Sequence, residues 1–582
     1  MPLCSLGWSF RFSLICGYNR HDRPMVKRLL NILSREITGL HEAAFLLGAF
    51  ALLAQFLGLV RDRSLAHFFG VGGELDIYYA AFRIPDLLFV SIASLVSLTV
   101  LIPILTEKMG KRDEARAFLD SIFTSFFFLM ALVSIVAFFF MPQLTKLMFP
   151  GFVDEGARAT LVHLARIILL SPTLLGVSNV LGGITQTHRK FFLYAISPVL
   201  YNFGIIVGIL VFYPVFGVSG LGFGVVLGGF LHMGIQLPYI LKSGYLPRFT
   251  WKVRVREIWR VAMISLPRTL ALSMAQISFL VLLALASQMR EGSIAVFNLS
   301  YNLQSVPVSI IGVSYSVAAF PILTRFFSSG ARERFERYMV TAAKHIIFWS
   351  MPAFSLFIVV RAQIVRVILG SGMFSWNDTK LTAALLAMFA FSVVAQCISL
   401  LFIRGLYAAG ETRKPLIVNL ISSCSIIVVA LMLVSLFNEH PTFRFFAEAI
   451  FKIGDVPGSV VLMLPLGYSL GMMLNALLLW ILFGKKFKSH AREIGTTAFH
   501  SFGASIIMGA VSYGLLNVFD GVFDINTFVG IFLQGFLAGI GGIIVFVFVL
   551  LALKNDELRD VLTSLHRKFW KTHAIAAEQG EL

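Results

Sequence analysis

Charged side chains are scarce in this chain: Asp, Glu, Lys and Arg make up 13% of its 582 residues, roughly half the share of an ordinary soluble domain. Carboxylates are the scarcer sign, 30 against 48 Lys and Arg, for a formal net charge of +18. Cysteine is nearly missing. Cys4, Cys16, Cys397 and Cys424 form no CxxC or paired spacing, which argues against a metal site or a disulfide framework and leaves buried apolar thiols. There is no HExxH pair, no GxxxxGK[ST] loop and no assembled Ser/His/acid motif. Neither an enzyme nor a bound cofactor or metal is therefore expected, and no nucleotide powers the protein.

Apolar residues fill the space: 58% of the chain is hydrophobic and 57 residues are Phe. That composition belongs to the membrane class. A span needs about 20 mainly apolar residues to cross roughly 30 Å of hydrocarbon. Segments of that kind lie near 41–60, 76–106, 115–141, 156–184, 192–213, 217–242 and 258–286. Others lie near 293–324, 336–360, 379–409, 414–436, 459–484, 497–519 and 526–552. The expected fold is thus an all-α integral membrane protein of about fourteen transmembrane helices, numbered here as segments in chain order. Pro85, Pro103, Pro307 and Pro321 supply bending points in the long second and eighth segments.

Basic residues cluster at the ends of these segments, so topology explains them better than a nucleic-acid partner. With the amino terminus inside, cytoplasmic stretches carry about 30 of the 48 basic residues and the opposite loops about 10. The stretch 242–260 alone holds Lys242, Arg248, Lys252, Arg254, Arg256 and Arg260. Both termini are expected in the cytoplasm. The first 24 residues read as an upstream extension with Met25 as the working start, followed by an interfacial amphipathic helix over Val26 to Gly39. A second small helix is expected at 441–453, and an amphipathic one after Lys554.

The chain repeats itself. Pro103-Ile104-Leu105-Thr106 recurs as Pro321-Ile322-Leu323-Thr324. The stretch Pro142 to Lys146 resembles Ala362 to Arg366, and Thr187-His188-Arg189-Lys190 corresponds to Glu411-Thr412-Arg413-Lys414. The matches keep their order at offsets of about 218 to 224, the pattern of paired bundles that rock to alternate access to a central site. The resulting division is a leader and interfacial helix (1–40), an N-lobe of helices 1–6 (41–242) and a basic linker (243–257). A C-lobe of helices 7–12 (258–484), helices 13–14 (497–552) and a cytoplasmic tail (553–582) follow.

The string Gly58-Leu59-Val60-Arg61-Asp62-Arg63, then Phe69-Gly70 and Leu75-Asp76 through Phe82-Arg83-Ile84-Pro85, resembles the lipid II flippase family, MurJ (MviN-like). Pro267 with Ser273 to Ser278, Val313 to Thr324, and Arg404 through Tyr407 to Pro415 extend the resemblance over about residues 41 to 552. The resemblance places the chain in the superfamily of multidrug and polysaccharide-lipid exporters. It implies two six-helix lobes plus two helices. It also implies movement of an undecaprenyl-pyrophosphate-linked peptidoglycan precursor between leaflets of the bacterial inner membrane. The implied partners are that lipid-linked glycan and membrane lipids, with a monovalent ion and cell-wall synthesis proteins as further possibilities. The family's cavity arginines are partly replaced: Gln55 stands at the helix-1 position, Phe89-Val90 at a pair in helix 2, and Asn302 in helix 8. Arg61, Asp62, Asp76 and the basic position Arg83 remain.

An ionisable group in hydrocarbon must face a cavity, a partner or the interface. Arg268, directly after Pro267, is either a substitute cavity cation gripping phosphate or a structural contact. Arg61 and Asp62 are expected at the external end of segment 1, as a surface ion pair or as gating residues. Asp76 opens segment 2, where it serves as that helix's own N-cap or as a gate partner for Arg61. Arg83 and Asp86, at i and i+3, are placed to neutralise each other. Lys344, His345 and Arg404 are expected to snorkel to the interface. Asn179, Asn202, Gln276, Asn298, Asn302, Gln396, Asn419 and Asn475 are expected to line the bundle interior. A lipid II flippase is the leading reading. The alternatives are a flippase for another lipid-linked saccharide, a non-transporting scaffold of the same fold, and a cation-coupled drug exporter.

Overall fold

The computed structural model describes residues 40–93, 98–108, 110–487 and 490–570, with side chains throughout except at 40–45, 98–100, 103, 268 and 564–570. The leader, the helix expected over Val26 to Gly39 and the last tail residues lie outside the described residues. Among the described residues there is no strand. Among the described residues, twelve helices are long and apolar enough to cross a membrane, from Arg112–Met148 to Phe528–Ala552. They fall on expected segments 3 to 14, with ends shifted by a few residues except in segment 7, where the span begins at Thr269. Segments 1 and 2, outside that set, are the helix Leu40–Phe69 and the broken run Gly73–Ala81, Arg83–Ala93 and Leu98–Lys108.

Local chemistry explains the ends and the breaks. Ser375 and Asp378 form a reciprocal capping box at the start of segment 10, and Thr527 caps segment 14 by accepting from Gly530 N at 3.1 Å, each satisfying donors a helix start leaves open. Segment 2 breaks at Phe82, which places Pro85 in the first turn of the next helix, where its missing N–H costs nothing. Segment 8 widens into a π-helix at Val308–Val313 directly after Pro307, where the proline removes an i→i−4 bond. A second π-turn, Gly208–Phe212 in segment 5, is followed within two residues by Pro214 and has no counterpart in the sequence reading. The small helix is present as Pro441–Phe451 and the tail helix as Asp556–Trp570.

Helix pairing follows one pattern twice. Segment 1 packs on 5, 5 on 6, and 4 on both 2 and 6; segment 7 packs on 11, 11 on 12, and 10 on both 8 and 12. Segments 13 and 14 pack on each other and attach beside segment 9 and the short helix Arg361–Leu369. The first and second halves meet where segments 2 and 8, 2 and 7, and 3 and 7 touch. Large apolar side chains such as Phe128, Leu132 and Phe139 of segment 3 point outward, as a lipid-facing surface requires.

The tail supplies a partner for Lys344: its ammonium, on a side chain 23% exposed, pairs with Glu557 of the tail helix at 2.7 Å. Glu557 is buried and also accepts from Thr497 and Asn555. A carboxylate arriving from the tail offsets the partial desolvation of this half-buried ammonium.

Candidate functional site

Segment 1 does not end before its charged triplet. It continues to Phe69 and carries Arg61 and Asp62 into the protein, Asp62 being 3% exposed. The Arg61 guanidinium donates to Asp62 Oδ1 through Nε at 3.0 Å and Nη2 at 2.9 Å. Its Nη1 donates to Asn202 Oδ1 of segment 5 at 3.1 Å. Asp62 Oδ2 accepts from Asn302 Nδ2 of segment 8 at 2.9 Å. The expected surface ion pair is therefore a buried relay joining the two halves, and burial is tolerated because each charge meets several partners.

Asp76 is neither a cap for its own helix nor a partner of Arg61. Segment 8 starts after Gly292, at φ +91° and with no cap from its own side chains. Asp76 Oδ2 accepts from Gly292 N and Oδ1 from Ala295 N, both at 2.7 Å. In exchange, Glu291 Oε1 accepts from Gly73 N, the first residue of segment 2, at 2.7 Å. Each half thus supplies the carboxylate that caps a helix of the other, where the N-terminal dipole favours negative charge. Arg63 works at the opposite pole, donating to the carbonyls of Val367 and Ile368 at 2.7 and 3.1 Å, at the end of a helix whose dipole favours a cation. Beside it Met373 N donates to His67 O at 3.0 Å. Gly70, at φ +59°, permits that approach, since a Cβ there would fall 2.7 Å from Met373 O. These bonds gather at one end of the molecule, away from the basic loop 243–254.

Below them a cavity of about 510 Å³ opens between segments 2, 7, 8, 10, 11 and 12. Arg83 is the one charged residue among the described residues that line it. Its guanidinium donates to Asn298 Oδ1, lies 4.8 Å from the centroid of the Phe279 ring and stands 4.0 Å from the Asp86 carboxylate. The expected Arg83–Asp86 pairing is present, so part of the positive charge is offset. The remaining wall is uncharged, a set of amides and hydroxyls among apolar side chains such as Val308, Leu400 and Met472. Gln396 Nε2 donates to Gln304 Oε1 at 3.1 Å, Tyr468 OH donates to Gln396 Oε1 at 3.4 Å, and Asn475 Nδ2 donates to Asn419 Oδ1 at 3.0 Å.

Of the expected site residues, the cavity brings together Arg83 and Asn302, and the closed end gathers Arg61, Asp62 and Asp76. Gln55 is half-buried on segment 1 and does not line the cavity; Arg404 follows the lining residue Ile403 without lining it. The Arg268 side chain lies outside the described residues. Gln276, Asn298, Gln396, Asn419 and Asn475 line the cavity as expected; Asn202 instead joins the Arg61 relay. Glu291 was not anticipated. Its bond to Gly73 spans 218 residues, the offset between the two Pro-Ile-Leu-Thr strings, so the repeat held a signal that these helix starts face each other.

A family model described as "Lipid II flippase MurJ" matches residues 65–534. A probable lipid II flippase MurJ of Rhizobium tropici is 24% identical over 384 residues, 63% of this chain and 71% of that protein. One from Haemophilus influenzae is 26% identical over 392 residues, 64% and 77% of the two chains. Among solved structures, "Lipid II flippase MurJ, inward closed conformation" aligns at a TM-score of 0.69 with 21% identity, over 89% of this chain and all of that one. An inward-facing MATE transporter of the MOP superfamily aligns at 0.59 with 15% identity, over 78% and 98%. With the family model spanning most of its length, this chain belongs to the lipid II flippase MurJ family.

Proposed function

We propose that this protein is an alternating-access flippase that carries a polyprenyl-pyrophosphate-linked peptidoglycan precursor, lipid II, from the inner to the outer leaflet of the bacterial plasma membrane. The observation that carries the reading is the pairing of a cavity, lined by the second half and by Arg83 of the first, with a seal between the halves built from the Asp76, Glu291 and Arg61–Asp62–Asn302 contacts. The recurrent helix pairing of segments 1–6 and 7–12 supports two lobes that move as bodies. Both termini and the basic loops lie in the cytoplasm on this reading, so the sealed end faces outward. Transport opens the seal and exposes the cavity to the outer leaflet.

With no nucleotide motif, the drive is an ion gradient, downstream removal of product, or the membrane potential, which supplies about 2.3 kcal/mol per charge per 100 mV. An anionic lipid moving toward the positive outer side gains directly from that field. Arg83, at the cavity, receives the pyrophosphate, with Arg268 as a second cation. The replaced arginines favour a second reading, in which the cargo is a different lipid-linked saccharide.

Complementation of a bacterial strain depleted of its lipid II flippase tests the first reading. Growth and normal cell shape are expected with this chain, and loss of both with Asp76→Ala. A well-expressed protein that fails to rescue, but moves another lipid-linked glycan in proteoliposomes, establishes the second.

A further inference from the structure

Resting on the cytoplasmic placement of the basic loops, we infer that residues 246–264, the linker into segment 7 and that helix's first turns, form a docking surface for anionic phospholipid headgroups of the inner leaflet. Arg248, Lys252, Arg256 and Arg260 are exposed, and none pairs with a carboxylate among the described residues. Glu257, the one acid of the stretch, is shared between Lys108 at 3.2 Å and Arg254 at 3.3 Å. Each Lys or Arg beside an anionic membrane surface strengthens attachment about five-fold. Aromatic side chains alternate with these cations. Phe249, Trp251 and Trp259 are all exposed, Trp251 to 99%. One exposed apolar side chain is ordinary, but aromatics interleaved with cations are the composition of an interfacial segment, and the membrane boundary is where Trp is enriched.

The stretch is held on the outside of segment 3. Arg248 N donates to Asp120 Oδ1 at 2.7 Å, Thr250 N to Thr124 Oγ1 at 3.1 Å and Arg254 N to Ser121 Oγ at 3.3 Å. Non-helical backbone needs partners for its N–H groups, and with segment 3 supplying them the linker is a fixed strap that leaves Arg248, Trp251 and Lys252 exposed. The Phe249 ring lies 5.1 Å from those of Phe123 and Phe127 and 5.8 Å from that of Phe128, between centroids. Phe128 belongs to the outward, lipid-facing surface of segment 3, so the strap is continuous with that surface, which favours a membrane over a soluble partner. On the helix that follows, Arg256, Trp259, Arg260, Met263 and Ile264 fall at helical spacing on one exposed face. The cations come first and the aliphatic side chains a turn later, the order expected across a headgroup boundary. Because the strap bonds to segment 3 and continues into segment 7, lipid held there grips the cytoplasmic ends of both halves.

The test uses the full chain, freed of native cysteines, in phosphatidylcholine nanodiscs, with a bimane fluorophore on a cysteine at Val255, an exposed position of the stretch. Nitroxide-bearing phosphatidylglycerol or nitroxide-bearing phosphatidylcholine is added at equal mole fraction, at about 50 and about 500 mM NaCl. Phosphatidylglycerol is expected to quench several-fold more than phosphatidylcholine at low salt, and the two should converge at high salt as the charges are screened. Arg248→Gln, Lys252→Gln, Arg256→Gln and Arg260→Gln together should abolish the preference. The same label at Val522, exposed in the loop between segments 13 and 14, should show none. Comparing two lipids on one protein does not depend on the fraction folded. Equal quenching at Val255, a preference that survives the four substitutions, or the same preference at Val522 overturns the inference. Quenching by neither lipid overturns it too and assigns the surface to a soluble partner. The flippase reading is tested separately by complementation and stands or falls apart from these outcomes.

Discussion

Asp76 and Gly292 stand 216 residues apart in the chain, yet the Asp76 carboxylate accepts the Gly292 N–H at 2.7 Å. Its other oxygen accepts from Ala295 N, so one side chain of segment 2 closes the start of segment 8. A hydrogen bond to a charged group contributes about 1.5–3 kcal/mol, and two such bonds, with the return bond from Gly73 to Glu291, make this end a principal tie between the halves. Asp76→Ala is expected to weaken the seal strongly and Asp76→Asn partly, because an amide oxygen still accepts but lacks the charge that suits a helix start. A cysteine placed at Ala295, which is 0% exposed, reports the change on a background freed of native cysteines. Labelling by a membrane-impermeant maleimide should rise several-fold in Asp76→Ala. Unchanged labelling would show that other contacts hold the seal.

The Arg61 relay makes a second prediction, about stability. Asp62→Ala strips a mostly buried guanidinium of its carboxylate and leaves Asn302 without its acceptor. Breaking one partner of a buried pair costs about 3–5 kcal/mol, and the 23% exposure of the Arg61 side chain places the expected loss near the lower bound. Asp62→Asn keeps an acceptor oxygen for Arg61, and its new amide N–H can meet the Asn302 oxygen once that amide turns over, so it should cost less than half as much. Thermal unfolding in detergent measures the difference, and equal losses in the two variants would mean that the charge, and not the hydrogen-bonding shape of the side chain, carries the contribution.

Hydropathy made the segments legible because crossing a membrane imposes a local requirement, about 20 apolar residues in a row. The expected stretch 414–436 became the helix Arg413–Glu439, and 293–324 became the two helices and π-turn of Ser293–Ser328. The Arg83–Asp86 pair was legible for the same reason, since i and i+3 share a helix face. Partners chosen between distant helix ends were not. Nothing local in the sequence tells Asp76 from an ordinary N-cap, or tells Lys344 that a carboxylate returns to it from the tail. Segment 1 seemed to stop at 60 because Arg61 and Asp62 read as an interface; only the presence of Asn202 and Asn302 beside them lets the helix run on. The cavity's neutral wall was legible as a set of amides, but not their assembly around one space.

The tail clasp should respond to acid. Burial raises the Glu557 carboxyl, but hydrogen bonds from Lys344 and Thr497 outweigh it and hold the group below its ordinary 4.5. A group that titrates lower when docked than when free stabilises docking above its free pKa, and that contribution is lost as the pH falls through the docked value. Docking is therefore full at neutral pH and weakens as the pH falls below the ordinary glutamate range. A nitroxide at Leu562, an exposed tail-helix position, should report restricted motion at pH 7 and sharpen in acid. In Glu557→Gln the spectrum should already be mobile at pH 7, with little left to change. A wild-type spectrum indifferent to acid would mean that apolar contacts such as Leu558 hold the tail.

The close approach of segments 5 and 6 depends on residues without side chains. Gly204 and Gly208 on one helix meet Gly224 and Gly228 on the other, each pair four residues apart and so on one face. A Cβ on Gly224 would fall 2.4 Å from Gly208 Cα, and one on Gly204 the same distance from Gly228 Cα. Backbone cannot yield as a flexible side chain does, so Gly224→Ala must push the helices apart. Helix association in lipid has little hydrophobic drive and relies on such close packing; the added methyl is expected to cost about 1–3 kcal/mol. Gly503→Ala in segment 13 is the matched control, because a Cβ there meets nothing within 4 Å and alanine is the better helix former by about 1 kcal/mol. The two variants should move the unfolding temperature in opposite directions, Gly224→Ala down and Gly503→Ala level or up. Since segment 5 also carries Asn202, whose Oδ1 accepts from Arg61, Gly224→Ala should depress transport as well as stability. If both variants unfold alike, the glycine contact is a consequence of the packing and not its cause.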